Sequence, residues 1–361
     1  MIEATYGGGT ETYWECSLRF TPVSTRKEMD YALSRLRYYV LQGLQHPGTV
    51  EASERVIHLV KELGLPLDLS VDEEKAQQMQ QVIPLSSAAP RRLVSPQTAR
   101  RFFEAVLQEH GYGEWHVVID PNASGPRVEQ GLRHLYLPTS KISVQQIKTY
   151  LSHELAGHVA RCIAGERSPL GLLGIHTAHS LETEEGLASY YDMQTAHLTG
   201  QPHDETSIWF GTLAVGLASG VMTPSQTFLS LFAFFEAFIL LYRRLRRPDQ
   251  DARTAQQYAR KLALARSLRT FRGVPDLHRA GVCYTKDVLY LRGLWRIEQA
   301  VAEDEAVLDH LAVGVVALEY LPDLRELGIV SAPQPLRQLA QDPELDAYIV
   351  SFEEPEEHST L

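Results

Sequence analysis

The sequence predicts an α+β fold that is mostly helical, with a small sheet beside one central helix. Apolar residues recur at helical spacing in the first sixty or so residues and in most of the chain after residue 181. Two short runs, WHVVID from Trp115 and RHLYL from Arg133, instead have the composition of strands, and the turn-rich PNASGPR lies between them. A helix that begins with its own capping signal follows directly.

The N-terminal part of the chain is predicted to be helical. Helices are expected over residues 24–44 and 51–63, and SSAAPRR at residues 86–92 has the composition of a linker. Ser95 and Pro96 then provide a cap and a first-turn proline for a further helix. We therefore expect three segments: an N-terminal helical region over 1–90, a main domain over 91–350 and an acidic tail over 351–361. The first is either a separate domain or part of one unit with the second.

The central helix carries signals at both ends. Ser143 and Gln146 form a capping-box pattern at its start, and Gly165 is of the type that ends helices. Between them stands SHELAGH, which contains the pattern HExxxH.

The segments after residue 181 are predicted to be helices, including LETEEGLASYYDMQ and residues 284–318. The most apolar segment, FLSLFAFFEAFILLYRRLRR from Phe228, is interrupted by Glu236 and is shorter than the roughly 20 residues that a membrane span needs. We expect a buried helix there and no membrane association.

Composition limits the classes of function. The formal net charge of −11 argues against nucleic acid as a partner, because such binding needs a concentrated cationic surface. The three cysteines form no CxxC pair, and the N-terminus lacks a basic region followed by an apolar stretch. These features predict a cytoplasmic protein without a disulfide framework or a thiolate zinc site.

The spacing of HExxxH raises a geometric question. In a regular helix each residue advances about 100°, so His153 and His158 would diverge by about 140°. One widened π-type turn, with roughly 4.4 residues per turn, reduces this divergence to about 50°, and such bulges favour functional sites. Gly157 makes the distortion easier. The sequence therefore predicts a widened turn if both histidines bind one metal.

A zinc site of the catalytic type needs a third protein ligand and an open position for water. The helix LETEEGLA supplies three candidates, Glu182, Glu184 and Glu185. Glu154, next to the first histidine, is then placed to be the general base. HExxxH alone arises by chance in roughly a few per cent of such chains, so this hypothesis depends on its context: a capped helix after a strand, with a glutamate-bearing helix behind it.

HELAGH followed by SLETEEGLA resembles the family of QEGLA-motif proteins, which includes the microtubule-associated tyrosine carboxypeptidases. GVCYTKDVLYLRGL at residues 281–294 is similar to that family's xFTKDxxYLxG block, with Tyr284 in place of phenylalanine. The resemblance extends over about residues 115–294. It implies a zincin-like fold, one Zn²⁺ per chain held by His153, His158 and Glu185, and Glu154 as the catalytic glutamate. It also implies a preference for a C-terminal tyrosine or another bulky residue.

A carboxypeptidase must hold a terminal carboxylate, for which a fixed cation is suited. Lys286 is the first candidate, with Arg279 and Arg272 behind it. Tyr284 or Tyr290 is a candidate hydrogen-bond donor to the oxyanion of the reaction.

The leading hypothesis is a zinc metallocarboxypeptidase whose partner is the C-terminus of a peptide or protein. One alternative is an endopeptidase on the same site. Another is a metal-stabilised binding or regulatory protein, for which His176 or His179 would supply a fourth ligand; both are otherwise expected to be loop or helix-start residues. The strand RHLYL is a candidate edge to which a substrate chain adds.

Overall fold

The structure is a computed structural model that describes residues 9–69, 92–123, 125–199, 206–329 and 335–353. This described part is mostly helical with two small sheets, so the α+β class is confirmed. None of its helices combines the length and the apolar character that a membrane crossing requires.

The secondary-structure elements are mostly helices, with a few short strands. The helices are α1 Gly9–Phe20, α2 Arg26–Gln45, α3 Val50–Glu62, α4 Pro96–Glu109, α5 Val144–Tyr150, α6 Ala160–Arg167, α7 Ser180–Leu198, α8 Thr206–Ser219, α9 Phe228–Arg246, α10 Ala252–Thr270, α11 Val288–Glu303, α12 Val307–His310, α13 Leu321–Glu326, α14 Pro335–Ala340 and α15 Leu345–Ser351. The strands are β1 Leu93–Val94, β2 His116–Asp120, β3 Arg127–Glu129, β4 His134–Pro138 and β5 Ile142–Ser143. A π-helix, Leu151–Val159, joins α5 to α6.

The chain forms two compact units, each built from two separate stretches. The first contains Met1–Ser87 and Asp204–Arg292, and the second contains Ala88–His203 and Gly293–Leu361. Residues 204–292 thus group with the N-terminal helices, although the sequence placed them in the segment 91–350. Independent folding of 1–90 or 91–350 stays a prediction. The predicted linker 86–92 and acidic tail 351–361 lie largely outside the described residues.

The first unit is a helical bundle with an aromatic core. α2 begins at a capping box, in which Thr25 and Glu28 bond to each other's backbone. Tyr39 of α2 stacks on Trp209 at 6.2 Å between ring centroids, and both rings pack against Phe238 of α9. The Phe228 segment is therefore the buried helix that the sequence predicts. Its interrupting glutamate, Glu236, accepts a 2.8 Å hydrogen bond from Gln256, which satisfies a polar group in the core.

The second unit contains both sheets. β4 is the central strand of the larger one: it pairs in parallel with β2 and antiparallel with β3. The prediction that RHLYL is an open edge is therefore wrong, because both of its sides are already paired. The reason is β3, Arg127–Glu129, which forms at the end of a segment that the sequence identified only as a turn.

The helix over 284–318 is shorter than predicted. α11 ends at Glu303, and the side chain of Asp304 accepts a 3.0 Å hydrogen bond from the backbone N–H of Ala306. Such local bonding by aspartate competes with helix continuation, and the next helix, α12, spans only Val307–His310.

The HExxxH helix begins as predicted but ends later. The Ser143 hydroxyl accepts from Gln146 N–H at 3.2 Å, and the Gln146 side chain accepts from Ser143 N–H at 3.0 Å. The helix then continues to Arg167, so Gly165 is not its terminal residue. Gly165 is needed for a different reason: a Cβ atom there would overlap the backbone of Leu173 and Gly174.

Substitution Gly165→Ala is expected to lower the free energy of unfolding by about 1–3 kcal/mol or more, because backbone atoms cannot move aside as a flexible side chain can. The measurement is chemical denaturation followed by circular dichroism. Gly171→Ala is the matched control, since nothing lies within 4 Å of its added Cβ. Equal destabilisation by the two changes would contradict the packing argument.

Candidate metal centre

The segment that carries HExxxH is a π-helix. Leu151–Val159 has the widened turn that the five-residue spacing requires, so this prediction is confirmed. The rings of His153 and His158 lie on one side of the helix with centroids 5.2 Å apart. Gly157 also permits a close helix contact, since a Cβ atom there would approach Cβ of Ala188 to 2.9 Å.

Helix α7 completes a cluster of possible metal ligands. His153, His158 and Glu185 each offer a ligand atom, and these atoms all lie within 4.8 Å of one another. Two imidazole nitrogens and one carboxylate oxygen are a donor set that suits zinc and leaves further positions open. The residues present therefore fit the metal that the sequence predicts.

Carboxylates orient both histidines from behind. The Nδ1 atom of His153 is 2.9 Å from Oδ2 of Asp192, and Nδ1 of His158 is 2.8 Å from Oε1 of Glu184. A proton held on each Nδ1 leaves each Nε2 as the atom that faces a metal. Sequence reasoning missed Asp192, although it follows Glu185 by seven residues, two helical turns on the same face.

The three glutamates of LETEEGLA have separate positions. Glu185 joins the histidines, whereas Glu184 contacts the back of His158. Glu182 lies in the first turn of α7 and accepts a 2.8 Å hydrogen bond from Arg296. Of the three candidates, Glu185 is thus the one that meets both histidines.

Burial and nearby charges shift the pKa values of the histidines and of the glutamates beside them. Glu154 is buried, with 8% of its surface exposed, and burial raises the pKa of its carboxyl against the opposing effect of both histidines. Burial favours neutral His153, but the Asp192 carboxylate prevails and raises its pKa to about 10. Burial likewise opposes ionisation of Glu184, but His158 lowers its pKa to about 2. The carboxylates behind the two histidines thus favour positive charge at the imidazoles.

A buried arginine stands behind this network. Arg161 is fully buried, and its guanidinium donates to the carbonyl oxygens of Leu311 at 3.0 Å and Val316 at 3.1 Å. Burial lowers its pKa, while the negative charge of Glu184 opposes that shift. Arg161 therefore fixes the segment 311–316 and supplies a cation near the carboxylates.

The two histidines between the ligand helices lie outside the ligand cluster in the described residues. His176 has a side chain that is 51% exposed, with Nδ1 3.2 Å from Oε2 of Glu184. His179 precedes α7 with a left-handed backbone at φ 61°. The cluster thus offers three protein ligands, the number typical of catalytic zinc sites.

The predicted substrate-binding residues all lie in the other compact unit. Arg279 forms a 3.0 Å ion pair with Glu11, and the guanidinium of Arg272 lies 4.4 Å from the ring centroid of Tyr284. Tyr290 accepts a hydrogen bond from Arg269. Their roles toward substrate stay predictions.

Lys286 lies between two buried anchors. Thr285 is fully buried and donates a 2.7 Å hydrogen bond to the carbonyl of Thr21. Asp287 accepts two hydrogen bonds from Nε of Arg269, at 2.8 and 2.9 Å. These contacts fix the backbone on both sides of Lys286, which a residue that binds a substrate group requires.

The site and fold define a class: an α+β protein with a candidate three-ligand metal centre on two helices and a buried glutamate between the histidines. The family model of the microtubule-associated tyrosine carboxypeptidases matches residues 237–354, about a third of the chain. The predicted resemblance to this family is thereby confirmed. The match includes the YTKDVLYLRGL block, while HExxxH and EEGLA lie before it. No curated protein gave a significant match.

Substitutions Asp192→Asn and Glu184→Gln are each expected to weaken metal binding about 10- to 100-fold, because each removes the charged acceptor that orients a ligand histidine. Competition with a chromophoric zinc chelator measures this affinity. Glu182→Gln is the matched control on the same helix, since Glu182 pairs with Arg296. Unchanged affinity in both variants would contradict the orienting role.

Proposed function

We propose that the protein is a zinc-dependent metallocarboxypeptidase that hydrolyses the C-terminal peptide bond of a peptide or protein. The observation that carries the proposal is the convergence of His153, His158 and Glu185 beside the buried Glu154. The match to a family of carboxypeptidases supports the exopeptidase form of the reaction and motivates a preference for a C-terminal tyrosine.

The chemistry divides between the metal and the chain. Bound zinc supplies a Lewis acid that polarises the scissile carbonyl and lowers the pKa of water. Glu154 accepts the proton of the attacking water and passes it to the leaving amine. Its buried position favours this exchange, because burial raises the pKa of the carboxyl and so makes the group a better proton acceptor. Glu184 and Asp192 hold the imidazoles in place throughout.

A carboxypeptidase is favoured over an endopeptidase by the family match and by Lys286, the cation in the YTKD segment. Lys286 is proposed to bind the terminal carboxylate, because buried contacts fix the backbone on both sides of it, with Arg279 and Arg272 as the candidates behind it. Tyr284 and Tyr290 remain proposed oxyanion donors. A purely structural zinc site is disfavoured, since such sites are usually closed by four protein ligands.

Substitution Glu154→Gln is expected to reduce kcat by at least about 10²-fold with metal content unchanged, because the amide accepts no proton from water. Mass spectrometry of a peptide library gives the activity, and metal analysis gives the stoichiometry. Glu166→Gln on the same helix is the control, since Glu166 pairs with Arg133. Full activity in Glu154→Gln would refute the assigned role.

Substitution Lys286→Gln is expected to lower kcat/KM for peptides with a free C-terminus by about 10- to 100-fold, the effect of one charged hydrogen bond. Peptides with an amidated C-terminus are expected to be poor substrates of both proteins. Paired assays on the free and amidated forms separate the two modes of cleavage. Equal cleavage of both forms would establish an endopeptidase instead, and a larger loss in Arg279→Gln would move the carboxylate site to that residue.

A further inference from the structure

The carboxylate of Asp192 contacts two consecutive side chains of the π-helix. Its Oδ2 atom lies 2.9 Å from Nδ1 of His153. Its other oxygen, Oδ1, accepts a 3.2 Å hydrogen bond from the hydroxyl of Ser152, the residue directly before that histidine. Each oxygen of this carboxylate thus has its own partner on the π-helix.

The Ser152 hydroxyl is shielded from solvent and has several acceptors within reach. Ser152 is 1% exposed. Besides Asp192, its hydroxyl lies 3.1 Å from the carbonyl oxygen of Lys148 and 3.0 Å from that of Thr149. The Lys148 carbonyl already accepts from the backbone N–H of Leu151. A hydroxyl has one proton to donate, and an ionised carboxylate is a stronger acceptor than a carbonyl. Asp192 is therefore the preferred partner.

The bond from Ser152 determines how the carboxylate is oriented. The last torsion of an aspartate side chain has a broad energy minimum, so a single hydrogen bond leaves the plane of the carboxylate loosely defined. A second bond, at Oδ1, fixes that plane and holds Oδ2 against Nδ1 of His153. A fixed carboxylate in turn fixes the orientation of the imidazole that it contacts.

The carboxylate behind the other histidine has less support. Oε1 of Glu184 lies 2.8 Å from Nδ1 of His158, but its Oε2 atom has no hydrogen-bond partner among the residues that the structure describes. The side chain of His176 lies 3.2 Å from Oε2 as an ion-pair neighbour and is 51% exposed. Exposed pairs contribute little. Within the described residues, Asp192 therefore has a buried support that Glu184 lacks.

We propose that Ser152 is a positioning residue of the candidate metal centre: its hydroxyl fixes the Asp192 carboxylate, and this carboxylate orients His153 toward the metal. The inference rests on the proposed function, because it concerns the metal centre of that function. It does not require that the bound zinc be catalytic.

The test is the zinc affinity of Ser152→Ala, measured by competition with a chromophoric chelator. A loss of about 3- to 10-fold is expected, the effect of one hydrogen bond. Alanine is the best helix former, so the variant is expected to fold. Ser189→Ala is the matched control. Ser189 is also buried on a helix that carries a ligand, but its hydroxyl donates to a backbone carbonyl, that of Glu185, at 2.8 Å. This control is expected to keep the zinc affinity of the unchanged protein.

A double-mutant cycle separates positioning from simple packing. Asp192→Ala removes the acceptor through which Ser152 acts, so adding Ser152→Ala to it is expected to cause no further loss of zinc affinity. A serine that only fills space or stabilises the π-helix would lower the affinity by the same factor with and without Asp192. That result would overturn the proposal, as would an unchanged affinity in Ser152→Ala alone.

A further readout needs no metal. The proton between Nδ1 of His153 and Oδ2 of Asp192 exchanges with solvent at a rate that NMR measures on the metal-free protein. Faster exchange is expected in Ser152→Ala, because the carboxylate is held less firmly, and no change is expected in Ser189→Ala. Equal rates in Ser152→Ala and the unchanged protein would contradict the proposal.

These outcomes also distinguish the proposal from the proposed function. A protein that cleaves no peptide but binds zinc, and whose affinity responds as expected, would refute the peptidase and support the role of Ser152. A protein that cleaves peptides, with a zinc affinity that Ser152→Ala leaves unchanged, would support the peptidase and refute the role of Ser152. An unchanged protein that binds no zinc would overturn both.

Discussion

The widened turn of Leu151–Val159 is the constraint on which the metal centre depends. A regular helix would send His153 and His158 to different faces, whereas the π-helix brings their ring centroids to 5.2 Å. Such a turn is rare, so the surrounding structure must hold it. The capping box at Ser143 fixes one end of this helix, and the close approach of Gly157 to Ala188 holds the middle against α7.

The glycines of the EEGLA and YLRGL motifs are needed for the same physical reason. A Cβ atom on Gly186, the glycine of EEGLA, would overlap the backbone of Gly293, the glycine of YLRGL. Helices α7 and α11 therefore touch through their backbones directly beside Glu185. Close approach of this kind requires glycine on both sides, and it fixes α7 where its glutamate meets the histidines. The EEGLA and YLRGL motifs lie far apart in the sequence but meet at this one contact between helices.

Local patterns predicted the local features of this protein well. The capping box and the π-turn follow from spacing within one helix, and the structure has both of them. Spacing left three glutamates open as third ligand, and only the resemblance pointed to Glu185, which the structure places with His153 and His158. The failures depend on distant partners. Gly165 reads as a helix end, but Leu173 and Gly174 require its missing side chain. Strand β3 forms because β4 provides a partner, and Asp192 has a role only once His153 faces it.

The candidate metal centre gathers several charges in a buried part of the fold. Glu154, Glu184, Glu185 and Asp192 bring four carboxylates to the two histidines, and Arg161 is the cation behind them. Grouping carboxylates in a buried region is costly unless opposite charge balances them. A divalent ion bound at the candidate ligand cluster would supply that charge where the carboxylates converge. It would also hold the π-helix against α7, because His153 and His158 lie on the one and Glu185 on the other.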